Sequence, residues 1–435
     1  MSEYQYDVIY IGAGHGTFDG AIPLSARGFK VAVVELDKIG GTCPNRGCNP
    51  KIALDEPVLQ QRIAEKNTGQ KQAPINWRLA VQHKHEVIDE LPDLIQYVMS
   101  SNGIEILHGK GFLQDAHTVN IADQSYTTDK IVIATGLRPN KIDVTGSQLT
   151  HSSDDFMEIT EMPNEIVILG GGYIALEFAT MANAAGSKVT VIMRGDRALR
   201  KFPQKYVDVV IEDLKKRGVN FIFNAEIKAI TDKTVRLSNQ EISTNWVLDA
   251  TGRIPNVENM GLENIGVQFN ANGIVVNDKL QTNVENIYAS GDVIDKVQPK
   301  LTPTAVFESK YLMHLFAGDT HESINYPAIP TTVFTSPRIS QIGITLEEAS
   351  QKPDKYTVNE SILDNNWYRK VKEETGFNAV IKQGEKVVGA VEVSDRSEDV
   401  INAYVPVIEL GLENQQLERL INVFPTITSD AFGYI

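Results

Sequence analysis

Two cysteines, Cys43 and Cys48, are the only ones in 435 residues, and they lie five positions apart in Gly40-Gly41-Thr42-Cys43-Pro44-Asn45-Arg46-Gly47-Cys48-Asn49-Pro50-Lys51. Two thiols so close in sequence suit a redox couple, part of a metal site, or a pair of inert buried side chains. A tetrahedral zinc site needs about four ligands, so two thiolates do not close one alone. On a regular helix this spacing would point the sulfurs apart, whereas a disulfide needs Cα atoms roughly 4.4–6.8 Å apart. Pro44 and Gly47 supply the distortion that would bring them together. Spacing alone does not separate inert thiols from reactive ones. Position does, because the pair follows directly on a nucleotide-binding pattern.

That pattern is a strand at 7–11, a glycine-rich turn at 12–17, a helix at about 17–28 and a second strand from Lys30 to Glu35. Gly12 and Gly14 let the backbone approach a pyrophosphate at the helix start, and Glu35, 21 residues after Gly14, is placed to accept ribose hydroxyls, which suits FAD or NAD. Thr17 stands where the fingerprint prefers glycine, and Pro23 interrupts the helix. The unit returns later in the chain. Glu165-Ile166-Val167-Ile168-Leu169 leads into Gly170-Gly171-Gly172, and Ala134-Thr135-Gly136-Leu137-Arg138-Pro139-Asn140 is echoed by Ala250-Thr251-Gly252-Arg253-Ile254-Pro255-Asn256. In this second copy the strand from Lys188 to Met193 ends without an acid and is followed by Arg194, with Arg200 and Lys201 beyond. Cations at that point suit a 2′-phosphate, so NADPH is expected rather than NADH.

Apolar positions at three- and four-residue intervals between 55 and 100 predict a long helix or a pair of helices as scaffold. From about 326 the runs Ala379-Val380-Ile381 and Val387-Val388-Gly389-Ala390-Val391, with a helix near 398–411, predict an α+β unit. The expected fold class is therefore α/β, with two Rossmann-like FAD- and NAD(P)-binding domains plus a C-terminal α+β dimerisation domain. The expected division is 1–149 and 258–325 for FAD, 150–257 for NAD(P)H, and 326–435 for the interface. A net charge of −15 disfavours nucleic acid and anionic membrane surfaces as partners. Short apolar runs and a strand almost at the N-terminus argue against a membrane span and a signal peptide, which makes cytoplasmic residence the expectation.

Together, the Gly40 to Lys51 segment, both glycine turns, Gly170 to Glu177, the paired Ala-Thr-Gly segments and Thr282-Asn283-Val284-Glu285-Asn286-Ile287-Tyr288-Ala289-Ser290-Gly291-Asp292 resemble the pyridine nucleotide–disulfide oxidoreductases. That group includes glutathione reductase, dihydrolipoamide dehydrogenase and mercuric reductase. The resemblance implies that Cys48 lies against the flavin as the charge-transfer thiolate and that Cys43 is the outer, interchange thiol. It implies that Asp292 binds the ribityl chain, that Lys51 and Glu177 pair near the flavin N5, and that Tyr173 gates the nicotinamide pocket. Arg194 and Arg200 match arginines that hold the NADPH 2′-phosphate in glutathione reductase. Thr42, Thr135, Gly136, Gly170, Gly172 and Gly252 fall in the motifs that contact cofactor. A homodimer would place each C-terminal domain over the partner's disulfide.

The chain departs from that pattern at its C-terminus. Disulfide-reducing members carry His-Pro and a glutamate a few residues later, whereas this chain reads Phe424-Pro425-Thr426-Ile427-Thr428-Ser429-Asp430. Phenylalanine exchanges no proton, so disulfide reduction should slow by about 10²–10⁴-fold unless another group, such as Asp430 or His15, serves as the acid. Ile22 and Lys310 stand where glutathione reductase offers arginines to its substrate, and the cysteine pair that mercuric reductases add at the C-terminus is missing from Ser429 to Ile435. Three readings follow: a reductase of a small or protein disulfide, a reductase of a metal ion, quinone or other acceptor needing no general acid, or a low-turnover FAD-binding redox sensor.

Overall fold

The computed structural model describes residues 3–371 and 376–434. By its internal packing the chain divides into two compact units. The first comprises residues 1–53, 82–140 and 253–325, and the second 54–81, 141–252 and 326–435.

The first unit is built on a seven-stranded sheet. Strand β1 (Tyr6–Ile11), helix α1 (Phe18–Ala26) and strand β2 (Val31–Glu35) form the opening strand–helix–strand crossover, in which β1 and β2 pair in parallel. The sheet continues from β2 to Glu105–His108 and from β1 to Gln124–Ile133, all parallel, and Ile287–Ala289 also joins Gln124–Ile133 in parallel. An antiparallel extension, Thr118–Ile121 and Gly111–Asp115, completes it. Val8, Ile9, Tyr10, Val31, Ala32 and Val33 are at most 1% exposed, as expected of parallel strands covered on both faces. Gly12 has φ +104°, and a Cβ there would fall 2.4 Å from the carbonyl oxygen of Ala134, so only glycine allows this turn to pass under the neighbouring strand.

Gly47 divides the cysteine segment into two helices, α2 (Thr42–Arg46) and α3 (Cys48–Thr68). A Cβ at Gly47 would meet the Thr42 carbonyl oxygen at 2.9 Å. The stretch expected as one or two helices is three: α3, Trp77–Ile88 and Leu91–Ser101. Thr17 precedes α1 rather than opening it, and its hydroxyl donates to the Gly12 carbonyl at 2.7 Å. Pro23 is accommodated inside α1.

The second unit holds a four-stranded parallel sheet in the order Asn220–Ile222, Lys188–Ile192, Glu165–Leu169, Val247–Asp249. The helix Tyr173–Ala184 follows its glycine turn and is buried along most of its length. The C-terminal part of this unit is a five-stranded antiparallel sheet, in the order Thr331–Val333, Arg338–Gly343, Lys386–Ser394, Phe377–Gln383, Thr357–Ile362, packed against the helix Ser397–Glu409.

Candidate active site

Cys48 is the first residue of α3 and Thr302 the first of the helix Thr302–Phe316, whose start is marked by Pro303 in the first turn. The Cys48 Sγ and Thr302 Oγ1 are 3.3 Å apart. Two helix N-termini, each offering free amides and the positive end of its dipole, thus meet at one sulfur. Cys43 lies on the preceding short helix α2, its Sγ 3.6 Å from Asn49 Oδ1, and both sulfurs are thiols in the structure. The two titrate in opposite directions. A hydrogen bond from Cys43, reinforced by Thr302 and by electrostatic attraction from Lys51 and His15, holds Cys48 down to about 6 although burial opposes this. Cys43 is pushed well above the ordinary thiol value, first by its hydrogen bond to Cys48, then by burial and by repulsion from the Cys48 thiolate. At neutral pH one proton therefore rests on Cys43 and the charge on Cys48. Thr302 was not singled out from the sequence; the Thr-Pro helix start was the available signal.

The glycine loop that opens α1 packs on this segment, since a Cβ at Gly41 would lie 2.8 Å from Gly14 Cα. His15, on the same loop, is oriented by Asp19, Nδ1 to Oδ2 2.7 Å, and lies against the Phe18 ring with centroids 4.6 Å apart. Glu35 accepts from the backbone N–H groups of Ala13 and Asp37, both at 2.8 Å, which fixes the loop over the end of β2. Thr135 donates its hydroxyl to the Asn256 carbonyl at 2.7 Å, tying one Ala-Thr-Gly segment to the other, while Gly136 (φ +64°) and Gly252 (φ +155°) have open space where a Cβ would project.

Asp292 lies largely buried, and its Oδ1 has no hydrogen-bond partner among the described residues. Desolvation raises its pKa against the pull of Lys296, Lys300 and Arg253. A buried acceptor left without a donor is costly, so this atom fits a ligand hydroxyl. With the Gly12 and Gly14 loop and Glu35, the first unit fits FAD. The turn bearing Asp292 is clamped by Glu308, which accepts from the Gly291 N–H at 2.7 Å and from Lys296 Nζ at 2.6 Å. Neither Glu308 nor Lys296 was legible as a site residue in the sequence.

In the second unit Gly170 (φ +123°) repeats the close passage of Gly12, with a virtual Cβ 2.4 Å from the Ala250 carbonyl oxygen, and Gly172 faces open space at the start of the Tyr173 helix. Arg194 and Arg200 are exposed beyond the strand Lys188–Ile192, and the Arg200 guanidinium folds over Gly195. Tyr173 is 50% exposed at the head of its helix, one turn before buried Glu177, whose Oε1 accepts from the Phe334 N–H at 2.8 Å. This unit fits a pyridine nucleotide. Lys51 belongs to the first unit and Glu177 to the second.

Residues 6–309 match the profile of the pyridine nucleotide-disulphide oxidoreductases, and residues 329–431 match the dimerisation domain of the same proteins. The chain belongs to this family. It is 30% identical to a glutathione reductase of Nostoc sp., over 97% of this chain and 98% of that one. The solved structure of the HOCl-induced flavoprotein disulfide reductase RclA from Escherichia coli superposes with a TM-score of 0.89 at 25% identity, covering 99% of this chain and 100% of that one. A second structure of RclA, a Cu(II) complex, superposes with a TM-score of 0.88 at 25% identity and 98% coverage of both chains. As a member of this family the protein is a flavoprotein disulfide oxidoreductase that uses FAD and a pyridine nucleotide.

Against that family background the C-terminal segment is distinctive. Phe424 is 71% exposed and touches Trp367, with ring centroids 5.9 Å apart. Asp430 is not available as an acid. Its Oδ2 accepts from Arg369 Nε at 2.5 Å and its Oδ1 from Asn366 Nδ2 at 2.6 Å, and Arg369, fully buried, also pairs with Glu392. Ser429 is equally committed, exchanging hydrogen bonds with Thr426 in a capping box. Among the described residues no group of three or more His, Cys, Asp or Glu side chains is placed to hold a metal ion, and no helix is long and apolar enough to cross a membrane.

Proposed function

We propose that the protein is an NADPH-dependent homodimeric reductase in which electrons reach Cys48 and Cys43 through the flavin and leave from Cys43. The observation that carries this reading is the asymmetry of the two thiols: the Cys48 Sγ lies 3.3 Å from Thr302 Oγ1 with its pKa lowered, whereas that of Cys43 is raised. FAD, when bound, supplies the two-electron relay between hydride donor and disulfide. The chain's own residues do the rest. Asp292 and Glu35 orient the cofactor's hydroxyls, Lys51 places its positive charge beside Cys48, Glu177 and Tyr173 serve the nicotinamide side, and Arg194 and Arg200 hold the 2′-phosphate. Cys43, deprotonated, attacks an external disulfide; Cys48 thiolate then attacks the mixed disulfide and expels the second product thiol.

The test is anaerobic titration of the holoenzyme with NADPH. A long-wavelength charge-transfer band should form, vanish in Cys48→Ser and persist in Cys43→Ser. Reversed behaviour of the two variants would overturn the assignment of inner and outer thiols.

A second acceptor class is favoured by one observation. The segment that carries the family's proton-donating histidine here presents exposed Phe424, and RclA has been solved as a Cu(II) complex. Reduction of Cu(II) by a thiolate needs no general acid. Anaerobic turnover with Cu(II), read as Cu(I) formed per NADPH consumed, should exceed turnover with alkyl disulfides at pH about 7 if this acceptor is the better one.

A further inference from the structure

Phe334 stands on the segment that joins the strands Thr331–Val333 and Arg338–Gly343, and Arg338 is the first residue of the second strand. The Phe334 N–H donates to Glu177, and its ring lies beneath the Arg338 guanidinium, 5.0 Å from the ring centroid. Arg338 is 7% exposed and gripped from two sides: Nη2 donates to Asp55 Oδ2 at 2.8 Å, and Nη1 pairs with Glu398. Asp55, itself 3% exposed, stands on α3 four positions after Lys51. Glu398 lies in the first turn of the helix Ser397–Glu409, and burial raises its carboxyl against the pull of Arg338.

A buried guanidinium facing two carboxylates is a poor source of stability, because the desolvation of three charges offsets most of their attraction. What arginine supplies in such a place is direction: a planar fork that fixes two oxygens and a flat face that fixes an aromatic ring. We propose that Arg338 is a positioning residue for hydride transfer, holding the Glu177 carboxylate through the Phe334 ring and amide while Asp55 and Glu398 fix its guanidinium. This rests on the reading above of Glu177 as a residue that serves the nicotinamide side. Arg338 touches neither cofactor nor substrate. Its influence runs through the Phe334 ring that it covers and the hydrogen bond from the Phe334 N–H to Glu177, and a displacement of about 1 Å at a reacting centre is enough to change a rate strongly.

The test is a double-mutant cycle with Arg338→Lys, which keeps the charge but loses the fork and the stacking face, and Glu177→Gln. In the wild-type background Arg338→Lys should slow flavin reduction by NADPH about tenfold with unchanged NADPH affinity. It should also move the flavin midpoint potential to a more positive value, because the negative charge of Glu177 is held less firmly in place. In the Glu177→Gln background the same substitution should change the rate less than about twofold. Equal slowing in both backgrounds, or a lowered unfolding temperature with unchanged rate and potential, would overturn the proposal. If Glu177→Gln alone leaves flavin reduction unaltered, the reading of Glu177 as a residue that serves the nicotinamide side fails instead. Asp55→Asn provides a second route to the same comparison should Arg338→Lys not fold.

Discussion

Thr302 and Cys48 are the first residues of two different helices, and their side chains meet at 3.3 Å. The sulfur therefore receives a hydroxyl hydrogen bond and the positive ends of two helix dipoles at once. The Cys48 thiol pKa is lowered first by its hydrogen bond with Cys43 and then by the Thr302 hydroxyl, with Lys51 and His15 adding to it against burial.

The thiolate of Cys48 should be present above pH about 6 and lost below it, because its pKa is depressed and the charged form is the one the site stabilises. In Thr302→Val the charge-transfer band of the reduced enzyme should titrate about half a unit to one unit higher, and in His15→Gln it should move the same way by less. Spectrophotometric pH titration reads both. An unchanged midpoint in Thr302→Val would show that the hydroxyl does not reach the thiolate.

NADPH should be preferred to NADH through Arg194 and Arg200. Replacing both with neutral residues should raise the apparent KM for NADPH by one to two orders of magnitude, since each charge-assisted hydrogen bond contributes about 1.5–3 kcal/mol and both side chains are exposed. NADH kinetics should hardly change. Equal use of the two nucleotides by the wild type would refute the assignment.

Disulfide turnover should rise with pH above neutrality, because the Cys43 pKa is raised and attack requires its thiolate. Phe424→His should accelerate turnover of alkyl disulfides near pH 7 without altering NADPH-driven flavin reduction. Ser429→Glu added to it keeps the capping box with Thr426, since glutamate is favoured at that position, so the double variant should remain folded. Steady-state rates across pH 6–9 check this, and a flat wild-type profile would count against it.

Arg369→Met should destabilise the protein by about 3–5 kcal/mol, because it leaves Glu392 and Asp430 buried without their cation. Chemical denaturation measures the loss; a change below about 1 kcal/mol would mean that the network relaxes to water.

The fold was legible where the signal is local. Gly12, Gly14, Gly170 and Gly172 each mark a turn between a parallel strand and a helix, and the doubled Ala-Thr-Gly segments mark the repeat. The three helices between 48 and 101 were harder to count, because Pro57 inside α3 and the weak apolar periodicity of that helix blur its boundaries. At the site, Cys43 and Cys48 announce themselves by spacing, yet Thr302 reaches Cys48 across 254 positions. Asp430 looked free in the sequence as a stand-in acid, and its commitment to Arg369 is a long-range pairing that no local pattern reports. Arg338 was silent for the same reason: its partners Asp55 and Glu398 lie 283 and 60 residues away.

The exposed Arg194 and Arg200, with exposed Lys201 beside them, form a small cationic island on a chain whose net charge is −15. A tetra-anionic nucleotide approaching such a molecule is repelled from most directions and drawn in at one. Capture should therefore be gated by ionic strength in two opposing ways, through weaker repulsion at a distance and weaker attraction at the mouth. With a screening length of about 8 Å at physiological salt, only the local attraction survives there, and the proposed 2′-phosphate site at the arginines would act as a short-range filter for nucleotides carrying the extra phosphate.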